Sequence, residues 1–194
     1  MKKRHSYVLT HEDMRKIYGI ATSSRDKFIA YLLYETGLRL SECAALFQED
    51  VVRDYMYQGH YIQLRDRGKL SNGGYLKTGE RKIYISSSLY NVYDDYMYDK
   101  TDFTEDHPFL LINLRGKRAG QPMSMLSLQK LISRWQTQTG IPLTASIFRY
   151  THGCTYYNAT KDINLVHERL GHENLKISIE RYISPRNNQS IMVK

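Results

Sequence analysis

The amino-acid sequence predicts an α+β fold that is mainly helical, with one small antiparallel β-sheet. Towards both ends of the chain, apolar residues recur every three or four positions, as Leu128, Leu131 and Trp135 do, which is typical of helices. In the middle of the chain, short segments rich in tyrosine and isoleucine alternate with glycines, a pattern typical of strands joined by turns. Hydrophobic residues make up 41% of the 194 residues, enough for a core.

Three helices are predicted in the first quarter of the chain. Thr10 can cap the first helix, because Asp13 follows at the spacing of a capping box. Dense apolar residues predict a second helix over 25–34, and Gly37 offers its C-terminal stop. The third helix is expected to begin near Ser41.

Strands are predicted at 55–57, 61–64 and 82–85, where tyrosine and isoleucine are concentrated. The segment 65–79 lies between the last two strands and is rich in glycine and basic residues. We expect it to form a long, mobile hairpin tip.

Further helices are predicted at 88–97 and 124–138, with an irregular stretch over 107–122 between them. From Thr144 onwards the chain is expected to be mostly helical. Residues 1–194 are predicted to form a single domain, because their number suits one ordinary domain.

The formal net charge is +8. A basic chain attracts polyanions, either nucleic acid or an anionic membrane surface. The sequence contains no run of 18 apolar residues and no signal-like segment, so no membrane span is expected. Cys43 and Cys154 lie outside any CxxC or His/Cys cluster, which favours buried, reduced thiols in a cytoplasmic protein without a metal site.

Two arginines are candidates for binding an anion. Arg39 lies in the run TGLRLSE (36–42), where a glycine turn delivers it to a helix N-terminus and Glu42 can brace its guanidinium. A surface Arg39–Glu42 pair is the alternative. Arg149 lies among aromatic residues in SIFRYTH (146–152), so it either needs an anionic partner or packs its stem and leaves its head in water.

Three further residues have side chains suited to phosphoryl chemistry. Lys77 lies at a predicted turn and can donate a proton to a leaving group, although a solvated lysine is the commoner outcome. His172 follows a glycine break and can bond a phosphate. Tyr182 is one of 17 tyrosines, most of which must serve packing; a tyrosine acts as a nucleophile only where cations stabilise its phenolate.

The order and spacing of these motifs resemble the tyrosine recombinase (phage integrase) family. The run TGLRLSE, the later FRYTH, the LGH at 170–172 and the closing tyrosine carry the resemblance, which extends from about Leu9 to Ile183. It implies a catalytic domain that cleaves and rejoins DNA through a 3′-phosphotyrosyl intermediate, without a metal or other cofactor.

The resemblance also implies a role for each candidate. Arg39 and Arg149 are expected to clamp the phosphate, with Glu42 in support. Lys77 is expected to act as general acid on the 5′ oxygen, His172 to bond the phosphate and Tyr182 to act as nucleophile. The implied partner is double-stranded DNA, bound by a homotetramer whose free protomer is a monomer, in the cytoplasm with the nucleoid.

Ser146 departs from the family pattern, which has a histidine three residues before the second arginine. A hydroxyl can bond phosphate but cannot act as a base. Three interpretations remain open: a tolerated change with slower chemistry, an altered or engineered residue, or a chain that binds DNA and recombines poorly. Tyr150 stands where the family often has another histidine. Lys69 and Lys82 are the alternatives to Lys77.

The separate N-terminal core-binding domain of most relatives is not found in the sequence, which predicts either an excised catalytic domain or a naturally short form. Residues 184–194 are the candidate segment for exchange between protomers. Two other functions compete with recombination. One is a DNA-binding module that has lost catalysis, and the other is a DNA-relaxing enzyme like the type IB topoisomerases.

Overall fold

A computed structural model describes residues 7–54, 59–101, 103 and 107–183. The described part is mainly helical and contains a three-stranded antiparallel sheet, so the predicted fold class is confirmed. The helices are α1 His11–Ile20, α2 Ser24–Thr36, α3 Leu40–Ala44, α4 Ser87–Lys100, α5 Met125–Thr139, α6 Ala145–Thr160, α7 Ile163–Leu170 and α8 Leu175–Ser178. The strands are β1 Val51–Asp54, β2 Gly59–Leu64 and β3 Arg81–Ile85. A 3-10 turn at Gln48–Asp50 precedes β1, and a π-helical turn at Ile179–Ile183 follows α8.

The first two helices begin and end where local chemistry predicts. Thr10 and Asp13 form the reciprocal capping box at the start of α1, which satisfies two of the N–H groups that a helix start leaves unpaired. Gly37 ends α2 in the left-handed conformation, with φ of 63°, which is strained for any residue with a Cβ. The chain therefore turns sharply from α2 into α3, with Arg39 at the N-cap of α3.

The sheet has the order β1-β2-β3, and Ile62 of β2 pairs with Val51 on one side and Ile83 on the other. Ile62 and Ile83 are fully buried against the helical core. The strands predicted at 61–64 and 82–85 correspond to β2 and β3, whereas β1 was not predicted. The strand predicted at 55–57 lies outside the described residues.

The segment 65–79 differs from the predicted long, mobile hairpin tip, because much of it packs against the domain. The guanidinium of Arg67 bonds the buried carboxylate of Asp50 at 2.7 and 2.9 Å. The side-chain amide of Asn72 donates to Ala44 O and Met123 O. Gly74 lies so close to the α3 backbone that a Cβ there would be 2.6 Å from Ala45 N. These contacts satisfy polar groups that a free tip would leave to water.

Two clusters of buried side chains hold the elements together. The larger one contains residues of the helices α1 through α5, of the sheet and of the start of α6, and it includes Trp135, Phe28 and Phe148. The smaller one lies between α6, α7 and the C-terminal turn, and it consists of Tyr150, Cys154, Val166, Leu170 and Tyr182. Both cysteines are buried and reduced, as predicted. Within the described ranges, no helix is long and apolar enough to cross a membrane.

Candidate DNA-phosphate site

Arg39 is held by a buried carboxylate and by the end of another helix. Its Nη1 lies 2.9 Å from Glu42 Oε1, and its backbone N–H donates to Glu42 Oε2 at 3.0 Å. The Glu42 side chain has no exposed surface, whereas that of Arg39 is 21% exposed. The pair is therefore not the surface ion pair that the sequence left open, and Glu42 braces Arg39 as predicted.

Arg149 is buried in the second turn of α6, with only 7% of its surface exposed. Its Nη1 donates to Gly37 O at 2.8 Å and its Nη2 donates to Leu170 O at 2.6 Å. Burial, reinforced by the nearby charge of Arg39, lowers the pKa of Arg149 to about 10. The interpretation that its head stays in water is wrong. A buried cation held only by neutral carbonyls retains attraction for an anion.

Three consecutive carbonyl oxygens at the end of α7 organise the arginines. The pairs are Arg81 Nε to Arg169 O at 3.0 Å, Arg149 Nη2 to Leu170 O at 2.6 Å and Arg39 Nη2 to Gly171 O at 3.0 Å. The last carbonyls of a helix lack intrahelical partners and carry partial negative charge, so they suit cations. Gly171 ends α7 with φ of 60°, and a Cβ there would lie 2.6 Å from Thr78 Oγ1.

Arg39 and Arg149 open onto one cavity of about 360 Å³. Its walls are Arg39, Lys77, Ser146, Arg149, His172, Glu173, Ile177 and Arg181. Five of the residues singled out from the sequence therefore share one basic concavity. Lys77 is exposed at its rim. Neither alternative lysine lines it, and Lys82 lies instead over the ring of Tyr61, with Nζ 4.6 Å from the centroid.

His172 is oriented by a hydroxyl. Its Nδ1 lies 2.6 Å from Ser178 Oγ, while its Nε2 is buried without a hydrogen-bond partner among the described residues. Burial, followed by the charges of Arg149 and Arg39, lowers the pKa of His172 to about 3. The imidazole is therefore neutral at pH 7. If the Ser178 hydroxyl donates to Nδ1, the single ring proton lies on Nε2 as a donor for the cavity.

Tyr182 lies beside this site but not in its wall. The ring is 1% exposed and lies between those of His172 and Tyr150, with centroid distances of 5.9 and 5.8 Å. Its hydroxyl has no hydrogen-bond partner within the described ranges. Burial raises the pKa of Tyr182, although Arg149 and Arg181 oppose this rise. The phenol of the candidate nucleophile is thus enclosed beside the cavity and does not face into it.

A glycine makes this buried position possible. A Cβ on Gly153 would lie 2.9 Å from the Tyr182 hydroxyl and closer still to Cε1 and Cζ of the ring. Gly153 follows Arg149 by one turn of α6, so the phenol lies one turn beyond the guanidinium.

The sequence did not single out several residues of the site. Arg81 bonds Glu42 at 3.0 Å, and Arg181 and Glu173 line the cavity. Ser178 belongs to the site through the contact between its Oγ and His172 Nδ1, which no sequence pattern indicated. A signal for Arg81 existed, because a carboxylate predicted to sit near one arginine can accept from two.

Comparison with known proteins identifies the family of this chain. Residues 7–189 match the Phage integrase family, and the chain belongs to that family. Transposase A from transposon Tn554 of Staphylococcus aureus is 30% identical over 184 residues, which cover 94% of this chain and 50% of that protein. Tyrosine recombinase XerA of Pyrococcus horikoshii is 30% identical over 167 residues, which cover 86% of this chain and 53% of that protein.

The fold also matches solved structures. The structure of the Tn1549 transposon integrase, residues 82–397, in complex with transposon right end DNA has a TM-score of 0.73 at 19% identity, over 100% of this chain and 68% of that chain. The present chain spans about half the length of the two sequence relatives.

Proposed function

We propose that this chain is the catalytic domain of a site-specific tyrosine recombinase of mobile-element type, which cleaves and rejoins double-stranded DNA. The supporting observation is the convergence of Arg39 and Arg149 on one cavity that Lys77 and His172 also line. The kinship with a transposase and with a tyrosine recombinase supports the same proposal.

The two arginines and His172 are proposed to hold the scissile phosphate. Each guanidinium has five N–H groups, and the carbonyl and carboxylate contacts leave Arg39 and Arg149 with N–H groups for another acceptor. Their charges, with a bond from His172 Nε2, would neutralise the negative charge that builds on the non-bridging oxygens during in-line attack. Preorganised groups of this kind supply most of the catalysis in phosphoryl transfer.

Lys77 is proposed to protonate the departing 5′ oxygen. Its neighbour Thr78 supports this placement, because the Thr78 hydroxyl accepts from both Arg39 and Arg81 at 3.3 Å. The turn that carries the lysine is thereby tied to the clamp. An alkoxide is a poor leaving group, so a positioned general acid contributes about 10²–10⁴-fold to such a step.

Tyr182 is proposed to be the nucleophile after a local rearrangement. Its oxygen attacks phosphorus as the phenolic proton passes to water, the bond to the 5′ oxygen breaks, and Lys77 supplies a proton to the leaving oxygen. The resulting 3′-phosphotyrosyl bond conserves the energy for rejoining with a 5′ hydroxyl. Burying a hydroxyl without a partner costs about 1–3 kcal/mol, so the stored position of Tyr182 is poised for release.

A DNA-binding module without catalysis is the second candidate. Two observations favour it: Ser146 stands in the cavity wall where a base is expected, and the phenol is enclosed. A relaxing enzyme like the type IB topoisomerases would use the same chemistry and would differ in releasing supercoils without strand exchange. A homotetramer on DNA, a monomer in its absence and association with the nucleoid remain part of the proposal. The candidate exchange segment at 184–194 lies outside the described residues.

Covalent capture on DNA separates the recombinase from the binding module, whereas supercoil relaxation without strand exchange would indicate the relaxing enzyme. The substrates are duplexes of randomised sequence that carry a nick close to the point of cleavage. Cleavage then releases a short strand, and the protein–DNA bond is trapped. We expect adducts that survive denaturing electrophoresis with the wild type and none with Tyr182→Phe. Equal capture by both proteins would refute Tyr182 as the nucleophile. Only salt-sensitive complexes with the wild type would refute the recombinase and favour the binding module.

A further inference from the structure

Arg81, the second arginine that bonds Glu42, has no role in the proposed cleavage of DNA. Arg81 donates from Nη2 to Glu42 Oε2 at 3.0 Å and from Nε to Arg169 O at 3.0 Å. Its side chain is 11% exposed, and it is not part of the cavity wall. Arg81 therefore cannot reach a phosphate in the cavity directly.

The charges around Glu42 show what Arg81 contributes. Burial alone would raise the pKa of Glu42, but Arg81 first, and then Arg39, hold it below its ordinary value. Glu42 is thus a carboxylate at neutral pH. With Arg39 as its only partner, the two charges would cancel. The second guanidinium leaves the trio with one net positive charge beside the cavity.

The contacts also fix the position of Arg39. Thr78 Oγ1 lies 3.3 Å from Nη1 of both Arg39 and Arg81. The two arginines bond carbonyls at the same end of one helix, at Arg169 O and Gly171 O. Arg39 therefore bonds Glu42 and Thr78, and Arg81 holds both of these side chains in place.

We infer that Arg81 is a positioning residue for the phosphate clamp: it offsets the charge of Glu42, so that Glu42 orients Arg39 without cancelling its attraction for phosphate. This role presupposes the phosphate site of the proposed function and adds to it a residue that lies outside the cavity wall. A unit charge a few ångströms behind the cavity, only partly screened, changes anion affinity by about tenfold.

Binding of inorganic phosphate to the full protein, followed by NMR titration of the amides lining the cavity, measures this directly. Arg81→Met should weaken binding about tenfold, whereas Arg81→Lys, which keeps the charge, should stay within about threefold of the wild type. The double variant Arg81→Met with Glu42→Gln removes one charge of each sign and should also return to within about threefold. Arg15→Met, at an exposed ion pair with Glu12, is the matched control and should bind as the wild type does.

The phosphate affinities of these variants decide whether Arg81 acts through its charge or only through the stability of the fold. If Arg81 were only structural, affinity would follow the melting temperature, and the double variant would bind worse than either single variant. Wild-type affinity in Arg81→Met would also overturn the inference. Should Arg81→Met not fold, the double variant carries the test alone, and a loss beyond about threefold contradicts the inference.

The same titration separates this inference from the proposed function. If the wild type binds phosphate in the cavity and Arg81 proves irrelevant, only the positioning role fails. If the wild type shows no binding there, the clamp fails, and the role of Arg81 fails with it.

Discussion

The phenol of Tyr182 lies against the backbone of Gly153, one turn of α6 beyond Arg149. Two ring contacts, with His172 and Tyr150, complete the enclosure. The group proposed to attack DNA is thus stored next to the cations that would activate it, separated from the cavity by its own packing. This relationship makes the release of Tyr182 a step that substitution can alter.

Gly153→Ala should displace Tyr182 from its stored position. A methyl group there would overlap the ring, while alanine favours the helix itself by about 1 kcal/mol over glycine. We expect faster proteolysis of the residues that follow Gly171, without loss of overall helicity. Gly19→Ala in α1 is the matched control, because a Cβ on Gly19 would meet nothing within 4 Å. Equal proteolysis of both variants would mean that Gly153 does not hold the phenol in place.

Removing Arg39 or Arg149 should abolish adduct formation, but with different effects on stability. Arg39 is partly exposed, so Arg39→Ala should fold normally. Arg149→Ala leaves the Gly37 carbonyl without its donor and should cost about 1–3 kcal/mol of unfolding free energy. Single-turnover cleavage and thermal unfolding check both. Near wild-type cleavage in either variant would refute the clamp.

Lys77→Ala should lose cleavage of ordinary DNA and regain it on a substrate with sulfur in place of the bridging 5′ oxygen. A thiolate leaves without protonation, so the general acid becomes unnecessary. The comparison of rates on the two substrates is the measurement. Lys69→Ala and Lys82→Ala should behave as the wild type on both. A loss that sulfur does not restore would assign Lys77 to binding rather than to proton transfer.

Ser146→His should accelerate cleavage by about tenfold or more, since one positioned acid–base group is worth about 10²–10⁴-fold. The serine faces the cavity, so an imidazole has room there. Single-turnover cleavage of the nicked duplexes gives the rate, and Ser146→Ala shows whether the hydroxyl itself contributes. An unchanged or lower rate in the histidine variant would indicate that the site is adapted to serine.

The buried histidine of α6 should make stability depend on pH. Burial, and then the charge of Arg169, lowers the pKa of His152 to about 3, against about 6.5 in the unfolded state. The unfolded state therefore binds a proton first, and this contribution is complete above pH 6.5 and lost as pH falls towards 3. His152→Gln keeps an acceptor for Arg169 and should flatten the decline in unfolding free energy between about pH 6.5 and 4. An unchanged decline would contradict the buried, neutral imidazole.

Much of the fold was predictable from the sequence because its signals are local, whereas the grouping of the site residues came from the resemblance to a family. The capping box at Thr10, the stop at Gly37 and the pairing of Glu42 with Arg39 all depend on neighbours within a few residues. The resemblance to a family supplied the choice of Lys77 and Tyr182 among many lysines and tyrosines. That residues 1–194 form one catalytic domain stays a prediction.

What the sequence could not predict depends on contacts between distant segments. Arg81 meets Glu42 across 39 positions, and the segment 65–79 packs on α3 through Asn72 and Gly74 rather than projecting. The enclosure of Tyr182 requires the close approach of two helices at Gly153. No local spacing encodes these approaches.

The most direct test of the account is to identify the residue that becomes bonded to DNA. Wild-type adducts captured on nicked duplexes can be digested with protease, and the DNA-linked peptide can be sequenced by mass spectrometry. We expect a single 3′-phosphate bonded to the oxygen of Tyr182. Linkage at another of the 17 tyrosines, or the absence of any linked peptide, would contradict the account.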